Sequence, residues 1–316
     1  MVKTIKNSKG KLLIDVFDKK IFSDIKKSTQ TNLENETRYA IFIVGQLRTF
    51  CASDDILNGI NFLVDELKLQ NKKPVIFFNV NFSYSHRGSE WHYRKLINQG
   101  LVSNMSDAEA YLSKFNCKVE TFNEKLRKIK CDYRFNTYSD DDFVSNGKEM
   151  FFGNVDCFSF LNEYGKTLFH GSKIKRKLSS HFPQLTTHSV CNEMKKEYES
   201  KKNIKFTNVI ILRPDLLILR DKIDIHNDKC YFKRDFARIF PEHIYNLFMS
   251  NIKIIGQYMY LVANNNKILG KRFKDDEIYS KRCIYHYLEK TFLEMNDMSE
   301  YISFTKFPIG CKWIKT

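Results

Sequence analysis

Tyr39-Ala40-Ile41-Phe42-Ile43-Val44 is an unbroken apolar run that stops at Gly45-Gln46-Leu47-Arg48-Thr49-Phe50. An apolar run of strand length, closed by a glycine, is the pattern of a strand buried on both faces, and such strands belong in parallel sheets covered by helices. Downstream, Ile56, Ile60, Leu63 and Leu67 recur at helical spacing and Asn71-Lys72-Lys73-Pro74 punctuates the chain. Val75-Ile76-Phe77-Phe78-Asn79-Val80 then reads as a second buried strand. Strand, loop, helix and strand make one βαβ unit whose first loop faces the ligand edge of the sheet.

A third buried strand, Asn208-Val209-Ile210-Ile211-Leu212, runs straight into Arg213-Pro214-Asp215-Leu216-Leu217. Proline fixes φ and donates no hydrogen bond, so it ends regular pairing and aims the following Asp off the sheet edge. A helix from about Pro183 to Lys201 precedes this strand. Leu185, Met194 and Tyr198 fit its inner face, and Lys195, Lys196, Glu197 and Glu199 its wet one.

Between these landmarks, Ser106-Asp107-Ala108-Glu109 marks a helix start and Cys117-Lys118-Val119-Glu120-Thr121-Phe122 alternates like a strand. No period dominates from Lys125 to Gly171. Further on, Lys229–Lys233 reads as a short strand, Pro241–Phe248 as a helix, Ile254–Ala263 as a strand-like aromatic stretch and Ile278–Met295 as a helix. The expected fold is α/β: a Rossmann-like, mostly parallel sheet flanked by helices, with a helical C-terminal part. Residues 1–36 are expected to form a polar extension, 37–240 the α/β domain, and 241–316 a helical C-terminal region packed on that same domain.

Of the 316 residues 42% are hydrophobic, enough to bury a sizeable core. The formal net charge of +15 suits an anionic partner such as a nucleotide diphosphate, an acidic glycan, a membrane surface or nucleic acid. Charge alone does not choose among these, and the lysine excess equally follows from an AT-rich coding sequence. The eight cysteines are scattered without zinc-ribbon spacing, which disfavours structural zinc, and are read as reduced thiols. The N-terminus lacks the apolar core of a signal peptide, and no run approaches the ~18 apolar residues of a membrane span. A cytoplasmic location is expected, with room for peripheral membrane contact.

Several enzyme classes lack their motifs here. There is no phosphate-binding P-loop, no G-x-G-x-x-G after a strand, no H-E-x-x-H and no G-x-S-x-G elbow. What remains is two polar clusters at the C-terminal ends of buried strands. In the first, Gly45 permits close backbone approach, while Gln46, Arg48 and Thr49 offer donors suited to a nucleotide base or a diphosphate. In the second, Asp215 offers an anionic oxygen for Mg²⁺ or Mn²⁺ and Arg213 adds charge beside it. A plain ion pair or cap at a strand end accounts for Arg213 and Asp215 equally well.

The strand followed by Gly45-Gln46-Leu47-Arg48-Thr49-Phe50, and the helix carrying Cys191, Met194 and Tyr198 that leads into Arg213-Pro214-Asp215-Leu216, resemble a group of bacterial and large-virus proteins. That group looks like GT-A-type glycosyltransferases of surface polysaccharide or glycan assembly. The resemblance implies a nucleotide-diphosphate sugar as donor, a glycan or lipid-linked acceptor, and Mn²⁺ or Mg²⁺ held by an acidic D-x-D element. Arginine at the first acidic position departs from that pattern. It leaves open a metal-independent mode in which Arg213 and Arg48 neutralise the leaving diphosphate.

For an inverting transfer a carboxylate must take the acceptor's proton. Asp235 is the first candidate, followed by Glu242 and Asp275-Asp276-Glu277; each also reads as a solvated surface acid. The basic run Lys173–Lys177 is a contact for nucleic acid, membrane or an acidic acceptor, or simply a solvated face. The competing reading is a non-catalytic basic protein that binds nucleic acid or glycan on a glycosyltransferase-like fold. Nucleic acid is the less expected partner, because no RNA- or DNA-binding motif is present.

Overall fold

The structure is a computed structural model that describes residues 5–6, 12–14, 36–47, 50–82, 94, 96–113, 117–138, 181–221, 223–233, 237–250, 299–303 and 307–313. In chain order the strands are β1 (Ile5–Lys6), β2 (Leu12–Ile14), β3 (Arg38–Gln46), β4 (Lys73–Asn81), β5 (Tyr133–Thr137), β6 (Asn208–Leu212), β7 (Leu216–Ile218), β8 (Tyr231–Lys233), β9 (Ala237–Pro241) and β10 (Cys311–Trp313). The α-helices are α1 (Asp54–Leu69), α2 (Met105–Ser113), α3 (Val119–Leu126), α4 (His181–Lys202) and α5 (Glu242–Ser250).

Six strands form one sheet in the order β5-β4-β3-β6-β9-β8. The first four are parallel, β9 runs antiparallel to β6, and β8 antiparallel to β9. The expected mostly parallel α/β sheet is therefore present. Pro74 is tolerated inside β4 because pairing with β5 begins only at Ile76, leaving one side of the strand without a ladder at that point. Two small antiparallel pairs, β1 with β2 and β7 with β10, lie outside this sheet.

Because side chains alternate along a strand, β3 serves two layers. Tyr39, Ile41 and Ile43 join Ile76, Phe78 and Val80 in a core completed by Ile56, Ile60, Leu63, Val64 and Leu67 of α1. From the opposite face Phe42 meets Phe77 at 5.8 Å and Tyr245 of α5 at 5.6 Å, and Phe77 meets Tyr198 of α4 at 5.9 Å. α1 starts at Ser53, whose hydroxyl accepts from the Asp55 amide at 3.1 Å, with Asp54 and Asp55 in its first turn. Gly59 lets this helix approach β7 closely, since a Cβ there would lie 2.9 Å from the Ile218 carbonyl oxygen.

Three expectations fail. Cys117–Phe122 is not a strand: Lys118 caps a helix, α3, that buries Phe122, Lys125 and Leu126 at helical spacing while Val119 stays 52% exposed. On α4 the inner face is largely polar. Thr187, His188, Cys191, Asn192, Lys195, Tyr198 and Glu199 are buried, so Lys195 and Glu199 do not face water. The reduced-thiol reading fails at one pair, because Cys51 and Cys117 form a disulfide with Cα atoms 5.5 Å apart. Among the described residues Cys131, Cys191 and Cys311 are free thiols. The stretches expected at Ile254–Ala263 and Ile278–Met295 lie outside the described residues. Among the described residues no helix is long and apolar enough to cross a membrane.

Candidate functional site

From β3 the chain moves to β4 and β5 on one side, then returns to β6 on the other side of β3. The strand order therefore reverses between β3 and β6, and open α/β sheets bind ligands at such a point. Ile43 pairs with Leu212, the last residue of β6. This register brings Gly45 beside Pro214. Gly45 has φ +125°, and a Cβ placed on it would lie 3.5 Å from Pro214 Cδ.

Past Leu212 the backbone turns, with the Leu216 amide donating to the Arg213 carbonyl at 3.3 Å. Inside this turn Arg213 grips Asp215 with two hydrogen bonds, Nε to Oδ1 at 2.9 Å and a terminal nitrogen to Oδ2 at 2.7 Å. The carboxylate is 2% exposed and the arginine 27% exposed. On the β3 side, Leu47 donates its amide to the Asn81 carbonyl at 2.9 Å, and Leu47 and Phe50 are fully buried. Leu47 and Phe50 are thus two apolar anchors beyond the end of β3. Arg48 and Thr49 lie outside the described residues, and so does Asp235. Lys233 and Ala237, which bracket Asp235 in sequence, pair with each other, and Ala237 pairs with Leu212 beside the start of the Arg213 turn.

Glu242 sits at the other end of the sheet. β9 is antiparallel, so Pro241 pairs with Asn208 at the start of β6, and the Glu242 amide donates to the Thr207 carbonyl at 2.8 Å. Its carboxylate accepts from Lys195 at 2.5 Å. It therefore serves a structural ion pair away from the switch point. Asp275-Asp276-Glu277, Lys173–Lys177, Tyr258 and Tyr260 lie outside the described residues. Trp313 is in β10, opposite Leu216. Among the described residues no group of three or more His, Cys, Asp or Glu side chains is placed to hold a metal ion.

A row of amides escaped the sequence reading. Asn79 and Asn81 are buried near the C-terminal end of β4, with Asn81 paired to Gln46 across the ladder. Asn136 on β5 donates to the Asn79 side-chain oxygen at 2.9 Å, and Asn79 donates to the Thr187 carbonyl at 3.3 Å. The available signal was two asparagines closing an otherwise apolar strand.

His188 is wholly buried in the α4 layer; burial first, and the Arg238 charge second, hold its imidazole well below the usual histidine range. His243 is shifted the same way by burial, with Glu242 opposing. Below the ordinary value of 6.5 the unfolded chain takes up protons that the folded chain refuses. Stability should therefore be fully present above that pH and fall on acidification, by up to about 1.4 kcal/mol per pH unit for each such group. Urea midpoints measured between pH 7.5 and 5.5 should decline in the parent and decline less steeply in His188→Leu, where of these two only His243 remains. Parallel slopes would show that His188 already carries a proton in the fold.

The sequence matches no protein-family model, and no curated protein is significantly similar to it.

Proposed function

We propose that the protein is a glycosyltransferase of the GT-A type, moving a sugar from a nucleotide-diphosphate sugar to a glycan or lipid-linked acceptor. One observation carries the reading: Gly45-Gln46 and Arg213-Pro214-Asp215, far apart in sequence, meet at the switch point of a mostly parallel sheet. Glycine admits a ligand close to the backbone, and a guanidinium suits a phosphate. In the reaction the bond between the anomeric carbon and the diphosphate oxygen breaks as the acceptor oxygen bonds to that carbon. The acceptor's proton passes to a carboxylate, assigned in this proposal to Asp235, and Arg48 and Thr49 complete the donor contacts. The +15 net charge favours an anionic donor and supports peripheral contact with a membrane that carries a lipid-linked acceptor.

A thermal-shift screen of UDP-, GDP- and dTDP-sugars tests this, with a CMP-sugar as monophosphate control and each run with and without Mn²⁺. At about 100 times Kd a true donor adds about 2.7 kcal/mol and raises Tm by ~5 °C. Absence of any shift, together with oligonucleotide binding that collapses as salt rises, would replace this reading with a nucleic-acid-binding one.

A further inference from the structure

The resemblance implies a divalent cation shared between Asp215 and the diphosphate. The donor set at Asp215 does not suit one. Each carboxylate oxygen already accepts from Arg213, at 2.9 and 2.7 Å, and the carboxylate is 2% exposed. A magnesium or manganese ion needs an open oxygen lone pair and several further oxygen ligands at close range. It would also stand beside a guanidinium, as a like charge in a weakly solvated place. The pairing supplies what an anion needs instead. Arginine presents a planar fork of N–H donors that matches phosphate oxygens.

We infer that Arg213 binds the donor's diphosphate directly, without a cation on Asp215. Asp215 is then a positioning residue that fixes the plane of the guanidinium through two hydrogen bonds from within the turn. Arg213 is 27% exposed where β6 meets the switch point, so its charge is available from solvent while its orientation is held from the protein side. The inference rests on the donor site proposed above and assigns its recognition chemistry to a diphosphate held by a guanidinium.

Calorimetric titration of the full chain with inorganic pyrophosphate, UDP and GDP, in EDTA and in Mn²⁺, is the test. The parent should bind at least one of them in EDTA, and Mn²⁺ should change that affinity by less than about threefold. Arg213→Ala should weaken binding by about tenfold or more, and Arg213→Lys should fall between, since it keeps the charge and loses the fork. Arg213→Ala leaves a buried carboxylate without its fork, so the pair Arg213→Met with Asp215→Asn provides a folded, uncharged comparison that should also bind weakly. A Mn²⁺-dependent gain of about tenfold that disappears in Asp215→Asn would make Asp215 a metal ligand and overturn the inference. So would parental affinity in Arg213→Ala, or no binding of any of the three compounds by the parent. Pyrophosphate binding through Arg213 without response to any nucleotide-sugar would keep this inference and remove glycosyl transfer. Nucleotide-sugar turnover unaffected by Arg213→Ala would do the reverse.

Discussion

Replacing Lys195 by methionine is expected to lower stability by about 3–5 kcal/mol at neutral pH, although methionine keeps the unbranched shape of the side chain. Lys195 is 0% exposed on α4, and its ammonium lies 2.5 Å from Glu242, 3.4 Å from the Asn246 side-chain oxygen and 3.9 Å from Glu199. Glu199 is itself buried and accepts from the Phe206 amide at 3.1 Å. Removing the cation leaves two carboxylates in a poorly solvated layer between α4 and α5. That cost falls on the variant alone, because both acids are hydrated once the chain unfolds.

The double variant Lys195→Met, Glu242→Gln should recover part of the loss, since glutamine carries no charge to strand and can still accept from Asn246, as Glu242 does. Urea unfolding of parent, single and double variants reads both quantities. A single variant within about 1 kcal/mol of the parent would show that the two acids find other compensation and that Lys195 is dispensable.

The same residues explain where the sequence was legible. β3, β4 and β6 announce themselves because strands buried on both faces need continuous apolar runs, and the loops that leave them mark the ligand edge. α4 was found as a helix, but its buried face was misassigned. Periodicity arguments equate inside with apolar, whereas this helix buries Lys195 and Glu199, which lie 3.9 Å apart, together with Asn192 and His188. β5 was missed for the opposite reason: it is an edge strand, Tyr133–Thr137, with four of its five residues exposed. β9 hides behind a buried arginine, Arg238, the second of its five residues. α3 is eight residues long and binds Asp54 and the Ser53 carbonyl through a buried Lys125, so its inward face carries a charge. At the site, Gly45 and the Arg213–Asp215 turn were legible as strand endings. Their meeting followed from parallel register, whereas the Asn79–Asn136 contact needed a strand that the sequence did not reveal.

Gly45→Ala is the sharpest test of that meeting, because it separates backbone conformation from space. A Cβ at this position would find only ordinary contact, 3.5 Å from Pro214 Cδ, so nothing blocks the methyl group. The obstacle is φ at +125°, beyond the left-handed helical region at about +50 to +70° that other residues occasionally enter. Holding alanine there costs about 1–3 kcal/mol. Relaxing it moves the backbone at Gly45 from its place against Pro214. The expected result is a stability loss of about 2 kcal/mol with a fall of about tenfold or more in nucleotide-sugar affinity. Asparagine should not rescue it, since its tolerance is for the left-handed helical region. Gly100 supplies the control: its φ is +68°, with nothing within 4 Å of the added carbon, so Gly100→Asn should be nearly neutral and leave affinity unchanged. Unfolding curves and donor titrations on the three variants decide the matter. Parental affinity and parental stability in Gly45→Ala would mean that the strand end re-forms without glycine, and that its approach to Pro214 plays no part in binding.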